Sequence, residues 1–400
     1  MSTQMAGLSF ERVQIDGFRG LRGLDLDGLG RVNILIGAND SGKTSVLEAL
    51  SVVCKPSDPK EWLTMVGRRD FGRLDETIIQ SLRWCFTQMG GLAEPEELFS
   101  GRCEIECQGR FPLRRLAVTL AEGTGQRPAR TKALPFVRAR ERLRQVRGLF
   151  PELDDQSAMR FVDLVHNVSW EGATQVSSSL ENAPREAEPV ELRIWENGVE
   201  PSGTIRSVRA RVSLPCETLT PYSYQTNRSQ VSSLSKQVIQ GDSDQGLIML
   251  QSFDPDVMAV QVLSLRGDRP AIYVEHRRLG WAPLSVFGDA MRRSILLAAT
   301  LPRLKNGGML LIDEVETGIH IKALGRVFQW LIESARQLDV QVFVTTHSLE
   351  ALDAFILAPC ARAGDVVAFR LSGTDGASKV KRFSGDLLLG LRQERGLDLR

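Results

Sequence analysis

Between an apolar run, Val32–Ile36 (VNILI), and a stretch with apolar residues at helical spacing (Val46, Leu47, Ala49, Leu50) lies Gly37-Ala-Asn39-Asp40-Ser41-Gly42-Lys43-Thr44. No other feature restricts the fold as strongly. Its glycines let backbone N–H groups turn inward around an anion with no Cβ in the way, and the following helix adds the positive end of its dipole. Strand, glycine-rich turn, Lys-Thr and helix, in that order, form the phosphate-binding loop pattern and predict an α/β fold around a parallel sheet. Gly37, Asn39, Asp40, Ser41, Gly42 and Ser45 are the expected lining. Lys43 would reach the β- and γ-phosphates, and Thr44 would give its hydroxyl to a metal. The expected cofactors are therefore ATP and Mg²⁺.

Three later motifs supply the remaining chemistry. Met309–Ile312 (MLLI) reads as a strand buried on both faces and ends in Asp313-Glu314. Asp313 would be the second metal ligand, and Glu314 would orient and activate the attacking water, because phosphoryl transfer is mainly positioning plus electrostatics. Val342–Val344 (VFV) is a second buried strand and leads to Thr345-Thr346-His347-Ser348. His347 is thereby placed at a strand tip, where open α/β sheets bind ligands. Leu284-Ser285-Val-Phe-Gly288 opens an amphipathic stretch, and a Ser and a Gly at a helix start would form a second anion nest.

This order is that of ABC-type ATPases, and its spacing is informative. Lys43 precedes Asp313 by 270 residues, whereas Ser285 to Asp313 is 28 and Asp313 to His347 is 34. A compact C-terminal half and a long gap before it resemble the RecF and SMC branch, in which one ATPase head is interrupted by an insertion. Within that branch the chain resembles the OLD-like (overcoming-lysogenisation-defect) ATPases. The residues that carry the likeness are Ile15-Asp-Gly-Phe18-Arg19-Gly20-Leu21, the phosphate-binding loop, Leu284-Ser285-x-x-Gly288, Asp313-Glu314-x-Glu316-x-Gly318-Ile-His320 and Thr346-His347-Ser348.

The resemblance implies a homodimer in which two heads sandwich two ATPs, with a higher oligomer as an extension of it. Each Ser285/Gly288 nest would close on the γ-phosphate held by the partner's loop. His347 would sense that phosphate, Glu316 to His320 would line the seam, and Arg19 would touch the nucleotide. Ala290 departs from the pattern, standing where such signatures commonly have a second glycine. Its methyl would hinder close approach of the partner's phosphate and weaken closure or turnover.

The expected fold class is a split ABC-type head: a mixed-sheet N-lobe and a parallel-sheet core, with an inserted, partly helical domain. Residues 1–122 and 241–400 would form the head, and 123–240 the insertion. In the first part, Leu8–Ile15, Cys103–Cys107 and Leu116–Leu120 read as strands and Leu74–Met89 as a helix. Near the end, Gly364–Leu371 and Ser378–Phe383 read as two edge strands followed by a short helix.

Net charge is +1, so no global field points to a polyanion. Locally, eight cations (Arg127, Arg130, Lys132, Arg138, Arg140, Arg142, Arg144, Arg147) face one acid, Glu141, and Glu181, Glu186, Glu188, Glu191, Glu196 and Glu200 answer them. That is either a solvated insertion with internal charge pairing or a basic surface for DNA, RNA or a protein. No run approaches 18 apolar residues, so no transmembrane helix is expected. The N-terminus lacks the zones of a signal peptide, which predicts a cytoplasmic chain with no membrane partner. The six cysteines are scattered, without the paired spacing of a zinc site.

Many OLD-like proteins carry a C-terminal Toprim nuclease built around a Glu and a later Asp-x-Asp. Only 53 residues follow His347 here, with no Asp-x-Asp. The expected function is therefore an ATP-hydrolysing sensor or motor subunit for a separately encoded effector, a nuclease, in bacterial phage defence or DNA repair. The alternatives are a RecF-like ATP-gated clamp on DNA, supported by the 127–147 run, and a nucleotide-gated scaffold with little turnover.

Overall fold

In a computed structural model the described residues are 7–69, 77–88, 98–126, 159–171, 189–196, 198–200, 212–223, 247–248, 250–251, 254–264, 270–358, 364–374 and 377–395. They form a mixed α/β structure around three sheets. The 127–147 basic run lies outside the described residues, as do Glu181, Glu186 and Glu188 of the acidic stretch, whereas Glu191, Glu196 and Glu200 lie within them.

The core sheet has six strands: β3 (Val32–Ile36), β10 (Cys216–Leu219), β14 (Met309–Ile312), β15 (Gln341–Thr345), β16 (Val366–Thr374) and β17 (Ala377–Ser384). Their order is β10-β14-β15-β3-β16-β17, parallel throughout except for β17. N-terminal β3 is thus inserted between two C-terminal strands, and the head closes from both ends of the chain. β3, β14 and β15 are buried along their whole length, as expected of parallel strands covered on both faces. Alternate residues serve the two faces. Met309, Leu311, Phe343 and Phe369 join one core cluster, and Leu310, Ile312, Val342 and Val344 join the other.

Helix α1 (Lys43–Val53), α2 (Lys60–Arg69) and an antiparallel sheet cover the first face. That sheet is ordered β2-β1-β5-β6-β7-β8-β9, from β2 (Leu24–Asp27), β1 (Arg12–Asp16), β5 (Ser100–Gln108), β6 (Leu113–Gly125), β7 (Met159–Trp170), β8 (Val190–Trp195) and β9 (Gly198–Glu200), with β4 (Thr87–Gln88) paired to β5. The described stretches of 123–240 are strands and a turn. They extend this sheet and, through β10, edge the core sheet; the rest of that segment lies outside the described residues. Buried Gln341 joins the two layers by bonding both backbone groups of Phe10 and the Gly30 carbonyl.

The opposite face is covered by the helices Ile321–Gln337, Leu349–Ile356 and Gly385–Arg395, where Phe328 and Phe355 stack with centroids 3.8 Å apart. A three-stranded sheet, β11 (Val257–Leu263), β12 (Ala271–His276) and β13 (Gly280–Pro283), packs on the helix Asp289–Thr300. Among the described residues no helix is long and apolar enough to cross a membrane.

Three local expectations differ from the structure. The helix read over 74–89 is only α3 (Ile78–Arg83), because a Thr77/Gln80 capping box starts it and Phe86 turns back to pair with Phe18. Residues 74–76 and 89 lie outside the described residues. The strand read over 364–371 is not an edge: β16 lies inside the sheet against β3, and only β17 is outermost. The signature helix does not start at Leu284. One 3₁₀ turn (Leu284–Val286) follows Pro283, Phe287 is extended, and the helix begins after Gly288.

β7 carries a fully buried histidine, His166, whose Nδ1–H donates to the Pro56 carbonyl at 2.8 Å. Burial lowers its pKa from 6.5 to about 4, partly offset by that carbonyl. In the unfolded chain the ring takes a proton near pH 6.5; in the folded chain it stays neutral down to about 4. Stability from this residue is therefore intact above 6.5 and falls as pH drops towards 4, by about 3 kcal/mol across the window. Urea unfolding at pH 7 and pH 4.5 is expected to show a shallower loss in His166→Phe than in the wild type; equal losses would refute the assignment.

Candidate nucleotide-binding site

The site gathers at the C-terminal ends of β3, β14 and β15, where open parallel sheets present loops to ligands. After β3 the chain turns through Gly37 (φ 146°), Asp40 (φ 61°) and Gly42 (φ 90°) into α1. A Cβ on Gly37 would sit 2.4 Å from the Leu371 carbonyl, so this position accepts no side chain. α1 begins with no side-chain cap and no acid in its first turn. Its N-terminal N–H groups and dipole therefore favour an anion.

Lys43 is buried and folds back over the loop, its Nζ donating to the carbonyls of Gly37 (2.8 Å) and Ala38 (2.7 Å). Burial lowers its pKa, and the carboxylates of Asp313, Asp40, Glu314 and Glu316 oppose that shift. A lysine held by two loop carbonyls in the field of four acids is suited to a multiply charged anion that brings its own cation.

The next residue closes the constellation. Thr44 Oγ1 donates to both carboxylate oxygens of Asp313, at 3.1 and 3.2 Å. Thr345 Oγ1, at the end of β15, donates to Asp313 Oδ1 at 2.6 Å and accepts the Glu314 backbone N–H at 2.8 Å. One buried hydroxyl thus ties both acids to the neighbouring strand. Glu314 has a left-handed backbone (φ 48°), and its Oε2 accepts from Thr317 Oγ1 at 3.0 Å. Beneath this turn the buried Arg293, from the signature helix, donates to the carbonyls of Asp313, Glu314 and Thr317.

Lys43, Thr44, Asp313 and Glu314 are therefore brought together. His347 is exposed beside them, and its backbone N–H donates to Glu316 Oε1 at 2.9 Å. Ser285 and Gly288 are exposed, and the Ser285 carbonyl accepts from Arg292. Arg19, also left-handed (φ 47°), pairs with Glu48 of α1 at 2.7 Å. Asn39 and Asp40 are exposed at the loop's crest, and Ser45 lies in the first turn of α1.

Sequence reasoning missed Thr345 and Arg293 as site residues. Thr345 stands directly before the Thr-His-Ser motif and offered only its position. Arg293 looked like one more cation on an amphipathic helix.

The donor set (hydroxyl and carboxylate oxygens at the mouth of an anion-binding loop) fits a hard divalent cation. The fold and site thus define a nucleotide-binding P-loop protein. Residues 111–353 match the family described as "AAA domain, putative AbiEii toxin, Type IV TA system", and residues 10–99 match "AAA ATPase domain". The first match covers more than half of the chain, and the chain belongs to that AAA family.

Among relatives, "Uncharacterized protein MJECL11" of Methanocaldococcus jannaschii is 34% identical over 116 residues, 28% of this chain and 98% of that protein. "Uncharacterized protein MJECL10" of the same organism is 48% identical over 42 residues, 10% of this chain and 19% of that protein. Solved structures similar to the chain include an SMC head bound to the C-winged helix domain of ScpA, at 13% identity and TM-score 0.47, covering 97% of this chain and 99% of that one. Another is a Pyrococcus furiosus Smc head with an extended coiled coil, at 10% identity and TM-score 0.46, covering 98% and 100%.

The Thr345 hydroxyl orients a carboxylate without being a ligand itself, a role whose loss typically weakens a metal site about 10–100-fold. Thr345→Val, which keeps the shape of the side chain, is expected to weaken Mn²⁺ binding in the presence of ATP by that factor, read by electron paramagnetic resonance. An unchanged titration would show the hydroxyl to be idle.

Proposed function

We propose that the chain binds ATP with Mg²⁺ and hydrolyses it, using nucleotide-dependent pairing of two heads to drive a separately encoded effector. The observation that carries this reading is the contact of Thr44 with Asp313, flanked by Lys43 on one side and Glu314 on the other. Those four groups are the parts that phosphoryl transfer needs: a phosphate cradle, two metal ligands and a base.

In this reading Lys43 leaves the loop carbonyls for the β- and γ-phosphates, and the loop N–H groups hold their oxygens. Thr44 and Asp313 would hold Mg²⁺, which would supply neutralisation of charge on the transferred phosphoryl group. Glu314 takes the proton of the attacking water, its backbone fixed by Thr345 and Arg293. Its acceptor bond from Thr317 keeps one carboxylate oxygen engaged and leaves the other for the water.

The exposed Ser285, Val286 and Gly288 supply a face for a second copy, Val286 being 63% exposed. An added Cβ on Gly288 would meet nothing within 4 Å, so its backbone is open to an approaching phosphate. The OLD-like resemblance supplies the setting, phage defence or DNA repair with a nuclease as effector.

Two variants test the reading. Lys43→Ala is expected to lower phosphate release by at least about 100-fold, the usual scale for removing a charge-stabilising donor. Glu314→Gln is expected to bind ATP without turnover and to run as a dimer in light scattering only when ATP is present. A Glu314→Gln protein that keeps both wild-type turnover and wild-type size would overturn the proposal.

A further inference from the structure

A groove of about 720 Å³ opens beside the first turn of α1, lined by Arg19, Ser45, Trp84, Phe86, Thr87 and Phe99 among others. That volume is within the roughly 300–1,000 Å³ range of small-ligand sites. Its floor is aromatic and fixed. Phe86 and Phe99 are buried, and Phe86 stacks on buried Trp62 with centroids 4.7 Å apart and planes 19° from parallel. Two of its cations are engaged. Arg19 pairs with Glu48, while Arg83 pairs with Glu122 and lies 5.0 Å above the Phe99 ring.

Trp84 differs from these neighbours. It caps the C-terminus of α3, yet its side chain is 75% exposed on the wall of the groove. Leaving so large an apolar ring in water is unfavourable. On a concave wall an exposed indole offers a flat stacking surface, and base–aromatic stacking tolerates any base because every base has a π-face.

Position selects the ligand. Ser45 directly follows Thr44, so phosphates cradled by Gly37–Thr44 end at the turn of helix from which the groove begins. Ser45 and Arg19 both line the groove, and Arg19 is held against α1 by Glu48. We infer that the groove receives the nucleoside of the bound nucleotide and that Trp84 stacks on its base. The inference rests on the proposed nucleotide site. Stacking grows with ring area, so purine nucleotides are preferred over pyrimidine ones.

The test is equilibrium binding, by calorimetry with Mg²⁺ present, of ATP, CTP and inorganic tripolyphosphate to the full chain and to Trp84→Ala, Trp84→Phe and Lys43→Ala. Trp84→Ala is expected to weaken ATP binding about tenfold or more and to leave tripolyphosphate binding unchanged. Trp84→Phe should keep most of the ATP affinity, and the wild type should bind CTP less tightly than ATP. Wild-type ATP affinity in Trp84→Ala would overturn the inference while leaving the phosphate site intact. So would an equal loss for ATP and tripolyphosphate, which would make Trp84 a structural residue. Undiminished binding of both ligands by Lys43→Ala would instead overturn the nucleotide site itself.

Discussion

The hydrogen bonds between Thr44 and Asp313 join residues 269 positions apart, and the architecture serves to make them. Thr44 lies in the first turn of the helix that follows β3; Asp313 directly follows β14. The two strands are not neighbours: β15 runs between them, and its Thr345 also bonds Asp313. A hydroxyl that donates to one acid and accepts from the backbone of the next does this without adding charge. That matters where four carboxylates already act on one lysine. Each added negative charge would raise the cost of leaving the group desolvated.

The same contact explains why a chain split by a long intervening segment can still form one site. β3 enters between β15 and β16, so the phosphate-binding loop is flanked on both sides by strands from the other end of the chain. Packing on both faces of that sheet holds the arrangement. On one face lie α1 and the antiparallel sheet, locked at its base by Gln341. On the other lie the three C-terminal helices. Arg293 adds a link of a different kind, because it ties the helix Asp289–Thr300 to the backbone of the turn Asp313–Thr317.

The parts legible in sequence were those in which local pattern and burial agree. β3, β14 and β15 are continuous apolar runs because both faces are covered, and each ends in the polar residues of the site. The antiparallel sheet was harder to read. Arg and Asp punctuate β7 and β8, where Arg193 pairs with Asp163 across the strands, and this masks the alternation. α3 was overestimated because Trp84, Cys85 and Phe86 continue an apolar pattern that tertiary pairing with Phe18 diverts into a turn. Thr345, Arg293 and the groove around Trp84 depend on which elements meet in space, and spacing along the chain carries no trace of that.

The most direct test of the central claim is a crystal structure of the chain with Mn²⁺ and a non-hydrolysable ATP analogue. The account predicts an anomalous peak within coordination distance of Thr44 Oγ1, next to Asp313 and bridged to phosphate oxygens held by the loop Gly37–Thr44. Phosphates bound away from that loop, or a cation remote from Thr44 and Asp313, would contradict it.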